Sequence, residues 1–254
     1  MDRERNLNRP GIGETIFAAG SLVHSHPALL VGWLFLALAT AALIHFLAAS
    51  APFPGLRILG YLLYGLADVF FAAGCMGSFA LILKLGSWRP AAVIESGRHY
   101  FWRFLLLGII QVVLMTVIPV VLGILFALAV GQIHRVFIFL MIPLVVGLVV
   151  LHFFLVFARA GVVVEEKGVF EAIAYSFRVV RSNFLPTLVF ILVLMGIPAL
   201  FAFLIGILYG SPGGGLELPR LLFSTLLTAY GHLLLMAALV YFAVEIGRPP
   251  EEEI

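Results

Sequence analysis

Six apolar runs, each more than twenty residues long, alternate with short polar breaks along the chain. They predict membrane-spanning helices at about 28–49, 58–84, 103–130, 136–161, 184–209 and 219–245. A run of about twenty residues crosses the roughly 30 Å hydrocarbon layer as a helix. Helix is also required, because lipid offers no partner to a free backbone amide. The breaks carry turn chemistry: Ser50-Ala51-Pro52-Phe53-Pro54-Gly55, Gly131-Gln132 and Ser211-Pro212-Gly213-Gly214-Gly215.

Two longer connections show a different period. In the second, Phe170, Ile173, Phe177, Val180 and Phe184 form an apolar stripe at helical spacing, with Glu171, Tyr175, Arg178 and Ser182 opposite. In the first, Pro90, Val93, Gly97, Tyr100 and Phe104 take the equivalent stripe, with Glu95 and Arg98 opposite. Each predicts an amphipathic helix in the headgroup layer that bends into the next span. The two connections and the spans after them are also alike in sequence. Fourteen residues between Ala92 and Glu165 recur unchanged 80 positions later, without a gap. Apolar identities come cheaply in such a chain; Ser96/Ser176, Arg98/Arg178, Met115/Met195, His152/His232 and Glu165/Glu245 do not. The expected organisation is one integral membrane domain over 1–254, all-α, with repeats at 89–165 and 169–245 and a tail at 246–254. Residues 11–26, with a weak stripe of Ile12, Ile16, Ala19 and Val23, head the N-terminal hairpin (1–84) as a candidate third, degenerate copy. Hairpins that all start on one side would be parallel repeats about an axis along the membrane normal.

Composition agrees: mean hydropathy is +1.17 and only 11% of residues are charged, too few to face water around a soluble domain of this size. Twelve basic residues fall on one side: Arg3, Arg5, Arg9, Lys84, Arg89, Arg98, Arg103, Arg159, Lys167, Arg178, Arg181 and Arg248. Arg57, Arg135 and Arg220 fall on the other, so both termini are expected in the cytoplasm, the membrane being the inner one. Residues 1–26 lack the compact apolar core and small-residue site of a cleavable signal peptide. The single cysteine, Cys75, excludes an intramolecular disulfide.

The segment Gly168-Val169-Phe170-Glu171-Ala172-Ile173-Ala174-Tyr175-Ser176-Phe177-Arg178-Val179-Val180-Arg181-Ser182-Asn183-Phe184 resembles a signature of bacterial membrane proteins. It is similar to the membrane domain sometimes fused to glycerophosphoryl diester phosphodiesterases, and to the YciC-type six-helix proteins. The shared pattern is a Gly, an Ala-rich amphipathic turn, Ser-x-Arg and an aromatic at the head of a span, and the likeness covers about residues 85–210. The resemblance implies an inner-membrane protein. The phosphodiesterase activity does not transfer, since no soluble phosphodiesterase domain is found in this chain.

Candidate chemistry is sparse. Asp68 lies about ten residues into the second run, near the midplane, where an ionisable group is expensive and needs a partner. It is either a proton or cation site, or a hydrogen-bonded carboxyl that pins helix packing. His152 and His232 hold equivalent stations in runs four and six, and Ala72, one turn from Asp68, holds that station in run two. Asp68, His152 and His232 are thus a candidate intramembrane cluster for proton exchange, or else interhelical hydrogen-bonding groups. Two histidines without a third strong ligand make a poor metal site, and no cofactor is implied. Glu165 and Glu245 end runs four and six and are expected to pair with Arg98 and Arg178, which are also placed to meet anionic headgroups. Pro119 and Pro198 fall at similar depths and are expected to kink their helices.

Enzyme motifs are missing. Gly74-Cys75-Met76-Gly77-Ser78 lacks the order of a nucleophile elbow, Asp68 has no second aspartate for an intramembrane protease, and His-Glu-x-x-His, Walker and dinucleotide signatures do not occur. The expected function is a non-enzymatic membrane module that binds lipid, a partner protein or its own copy, and no nucleic acid. The alternative is a small proton-coupled transporter that uses Asp68, His152 and His232.

Overall fold

The computed structural model describes residues 11–50, 54–117, 119–121, 124, 147–194, 196 and 217–247. The Gly131-Gln132 and 211–215 turns, Pro198, Arg135 and both tails lie outside these residues. Among the described residues every regular element is a helix: α1 (Ile12–Ser25), α2 (Pro27–Ser50), α3 (Pro54–Leu85), α4 (Ala91–Val112), α5 (Gly147–Val164), α6 (Val169–Ser182), α7 (Phe184–Leu194) and α8 (Glu217–Gly247). Among the described residues four helices are long and apolar enough to cross a membrane, and up to six spans result if α1–α2 and α6–α7 each count as one. The chain is an all-α polytopic membrane protein.

Local chemistry sets the helix ends. The N–H of Gly11 bonds to the Glu14 carboxylate at 2.8 Å, and that of Gly168 to the Glu171 carboxylate at 3.3 Å. Each satisfies an amide near the helix start with an acid in the first turn, where the helix dipole favours negative charge. Both helices run fourteen residues, and both then turn sharply: α1 to α2 by 82° and α6 to α7 by 103°. Proline makes the break. Pro27 and Pro186 lack the N–H that would bond to Val23 and Ser182, and their rings clash with those carbonyls in a continuous helix. Asn183 then closes α6 through Val179 (3.0 Å) and opens α7 by accepting from Thr187 (2.9 Å).

The first connection departs from expectation here. Instead of an interfacial helix that bends into a span, α4 runs on without a bend into the Val113–Val117 turn, and Ala91–Val121 counts as one candidate span. The residue 80 positions before Pro186 is Leu106, so nothing obliges α4 to bend. Pro119 is absorbed in a different manner. The turn before it, Val113–Val117, widens to a π-helix, a local adjustment that accommodates the missing amide.

The helices α3, α5 and α8 pack on one another and form the core. Against each lies one amphipathic helix: α4 on α3, α6 on α5, and α1 on α8. The first helix of the chain therefore docks on the last. The three outer helices bury corresponding rows: Thr15, Ala92 and Ala172; Ala19, Ser96 and Ser176; Val23, Tyr100 and Val180. Contact at α3 is close because small residues line it. A Cβ at Gly74 would sit 2.5 Å from the Val93 carbonyl oxygen, and one at Gly77 2.5 Å from the Ser96 Cβ. At α5 the approach is polar. The Ser176 hydroxyl enters the α5 backbone, accepting from the Phe157 N–H (3.0 Å) and donating to the Phe154 carbonyl (2.6 Å), and the helix breaks into a turn at residues 156–157. Above this junction Phe157, Phe190 and Phe242 stack nearly parallel, with centroids 4.8–6.3 Å apart.

Candidate functional site

The stripe predicted for α6 is real but divides into two faces. Val169, Ala172, Tyr175, Ser176, Val179 and Val180 are buried against the bundle. Phe170 is 76% exposed; Phe177 and Phe184 are also exposed at their outer edges while they pack on Phe154 and Phe153 of α5, with centroids 5.0 and 5.5 Å apart. Tyr175, expected on the polar face, is buried instead. Gly161 of α5 makes room for it: a Cβ there would lie 2.7 Å from the ring. The Tyr175 hydroxyl donates to the Ala243 carbonyl at 3.5 Å, and Lys167 Nζ sits 5.4 Å from the ring centroid. Burial, with the Glu165 carboxylate adding to it, pushes the phenol up to about 12.

The expected pairing of Glu165 with Arg98 or Arg178 does not form. Glu165 pairs with Lys167 at 3.0 Å, two residues along, because the turn folds that ammonium back on the helix end. Arg98 and Arg178 are exposed and meet no carboxylate among the described residues. Glu245 is half-buried at the corresponding station of α8. Cations of the first connection serve the second: Lys84 Nζ donates to the Val164 carbonyl, and Arg103 Nη1 donates to the Glu166 carbonyl at 3.2 Å. These groups satisfy carbonyls at the end of α5 that no helical amide reaches. Glu166 has φ 53° and Gly86 φ 66°, so both connections leave their helix through a left-handed residue, 80 positions apart.

Asp68 is half-buried on α3. Its charge interacts with His232 on α8 and with Arg159 on α5. No direct ion pair joins Asp68 to either among the described residues. His232 is exposed, its Nδ1 3.3 Å from the Thr228 carbonyl and its ring 6.3 Å from that of Trp33. His152 is exposed on α5 and none of the described contacts ties it to Asp68. No hydrogen bond or ion pair among the described residues joins Asp68, His152 and His232. The other charge that acts on Asp68 is that of Arg159. Its Nη2 donates to Gln111 Oε1 of α4 at 3.3 Å, while its Nε is buried without a partner. Sequence reasoning placed Arg159 among the cytoplasmic charges because it lies near the end of an apolar run. The missed signal is its position inside α5, one helical turn before that run ends at Val164.

A core of three packed helices, an outer layer of amphipathic helices and a sparse set of polar groups between them make this an integral membrane protein with no soluble domain among the described residues. The chain belongs to the family described as Domain of unknown function (DUF7847), whose family model matches residues 11–246. No curated protein and no solved structure matches the chain.

Proposed function

We propose that this protein is a non-enzymatic module of the cytoplasmic membrane, built from three hairpin repeats with both termini inside, that binds lipid through a collar of interfacial helices. The observation that carries this reading is the outer face of α1, α4 and α6. Phe17 is 80% and Phe170 76% exposed, and Trp102 and Ile94 stand exposed one turn either side of the unpaired Arg98. Phe177 adjoins the equally unpaired Arg178 on α6. Exposed aromatics beside guanidinium groups that meet no carboxylate among the described residues suit the boundary between acyl chains and anionic headgroups. The corresponding buried rows of the three helices support the repeat, and the likeness to YciC-type proteins and phosphodiesterase membrane domains belongs with it. The excess of basic residues on one side supports the orientation.

Trp102 offers a direct test. In a W33F/W88F background in liposomes, lipids labelled near the headgroup should quench Trp102 more strongly than lipids labelled deep in the chain. Arg98→Gln with Arg178→Gln should weaken the preference for anionic lipid, most visibly at low salt. Stronger quenching of Trp102 by aqueous acrylamide than by any lipid label would remove the collar. Single cysteines at Gly86 and Gly168 should label only from the cytoplasm, and those at Pro54, Gly131 and Gly214 only from the periplasm. The second reading, a proton-coupled transporter, is favoured by the carboxyl of Asp68, half-buried within the apolar span α3. Asp68→Asn should then abolish proton uptake into proteoliposomes; a wild-type protein that moves no protons leaves the module.

A further inference from the structure

Arginine carries five donors in a rigid plane, and a carboxylate or phosphate accepts two at once. Arg159 uses one, toward Gln111, and its buried Nε–H has no partner. A buried guanidinium with unspent donors is costly to maintain in apolar surroundings unless an anion meets it. Asp68 influences Arg159 electrostatically but does not touch it, so the compensation within the protein is incomplete. The surroundings indicate the form of the missing anion. On α4, Gln111 is only half-buried, and Leu106, Ile109, Val112 and Val113 around it are exposed and apolar. Arg159 lies one helical turn above the Val164 end of α5, close to where Ser176 of α6 joins that helix. In the membrane reading above, α6 lies in the headgroup layer, so the guanidinium lies at a depth that an inner-leaflet phosphate reaches.

We propose that Arg159, with Gln111, holds the phosphodiester of one phospholipid between α4 and α5, with its acyl chains along the exposed side of α4. Asp68 tunes the charge. A singly charged phosphodiester matches the single guanidinium charge, and with the Asp68 carboxylate also near, a doubly charged phosphomonoester would leave more negative charge uncompensated and is disfavoured. The site recognises phosphate and leaves the headgroup beyond it free, whereas the collar discriminates by net lipid charge. The inference rests on the proposed function for placing the chain in the membrane with α6 at the headgroup layer.

The test is native mass spectrometry of the full chain released from mixed micelles. The wild type should retain one phosphatidylglycerol or phosphatidylethanolamine, and diacylglycerol, which lacks phosphate, should not be retained. Arg159→Gln should lower retention by about tenfold to a hundredfold, the loss of one charge-assisted hydrogen-bonded contact. Arg159→Lys, which keeps the charge without the fork, should retain lipid at an intermediate level, and Gln111→Leu should weaken it less than Arg159→Gln. Arg178→Gln, which alters only the collar, should leave the retained lipid in place, so failure of the collar and failure of this site are separable. Arg159→Lys also covers the case in which Arg159→Gln does not fold. Equal retention of diacylglycerol, full retention by both Arg159 variants, or displacement of lipid by inorganic phosphate alone would overturn the proposal.

Discussion

Ser176 is a hydroxyl on one helix that completes the backbone of another. Removing it with Ser176→Ala strands two main-chain groups of α5, the Phe157 N–H and the Phe154 carbonyl, now bonded at 3.0 and 2.6 Å. The site is dry, for Ser176 and Phe157 are fully buried. Each intramolecular bond is worth about 0.5–1.5 kcal/mol net, and an unsatisfied buried partner costs about 1–3 kcal/mol. Two groups with partial relaxation give a loss of about 2–4 kcal/mol. In a chain of this length that lowers Tm by about 6–12 °C. Ser96 is the matching control. It occupies the same repeat position and is equally buried, yet it packs against Gly77 and makes no hydrogen bond among the described residues. Ser96→Ala should therefore cost less than about 1 kcal/mol. The assay is thermal unfolding in a mild detergent, followed by near-ultraviolet circular dichroism. Equal losses at the two serines, or a Ser176→Ala protein as stable as the wild type, would refute the argument that the hydroxyl substitutes for helix hydrogen bonds.

Gly74→Ala should lower detergent stability by about 1–3 kcal/mol, because the new methyl meets the rigid Val93 carbonyl, whereas Gly65→Ala, with nothing within 4 Å, should be neutral or stabilising. Glu166→Gly should raise Tm and Gly86→Ala should lower it, each by the equivalent of about 1 kcal/mol, since both sites are left-handed; opposite signs in thermal melts would show that backbone strain is not the cause. Tyr175 should ionise later than an exposed tyrosine, in the pH window from about 10 to about 12. Its raised value stabilises the fold fully below the unfolded-state value of about 10, and that contribution is lost as pH rises through about 12. Absorbance titration at high pH should show this late phase in the wild type and not in Tyr175→Phe; an unchanged titration would mean that another phenol is responsible.

The pattern of apolar runs determined the class of fold. Lipid leaves a long apolar run only one satisfied conformation, so composition and spacing alone predicted helices at the positions where α2, α3 and α8 occur. Helix starts were also legible, because Gly11-x-x-Glu14 and Gly168-x-x-Glu171 carry the acid that satisfies the first amides. Prolines marked both bends, since Pro27 and Pro186 forbid continuation, and Leu106 permits it in α4, which does not bend. Facing was not legible. A stripe drawn on α6 from periodicity could not say which flank meets protein, and so Tyr175, read on the polar face, is buried, while Phe170 of the apolar stripe is exposed. Partner choice was decided only in three dimensions. Glu165 turned to Lys167 because the left-handed Glu166 folds the chain back, and none of the described contacts ties His152 to Asp68, whose charge acts instead on Arg159 of the same helix. Side-chain direction depends on how α3, α5 and α8 rotate against one another, and that rotation is fixed by small residues and hydroxyls on other helices, at distances along the chain that no local pattern records.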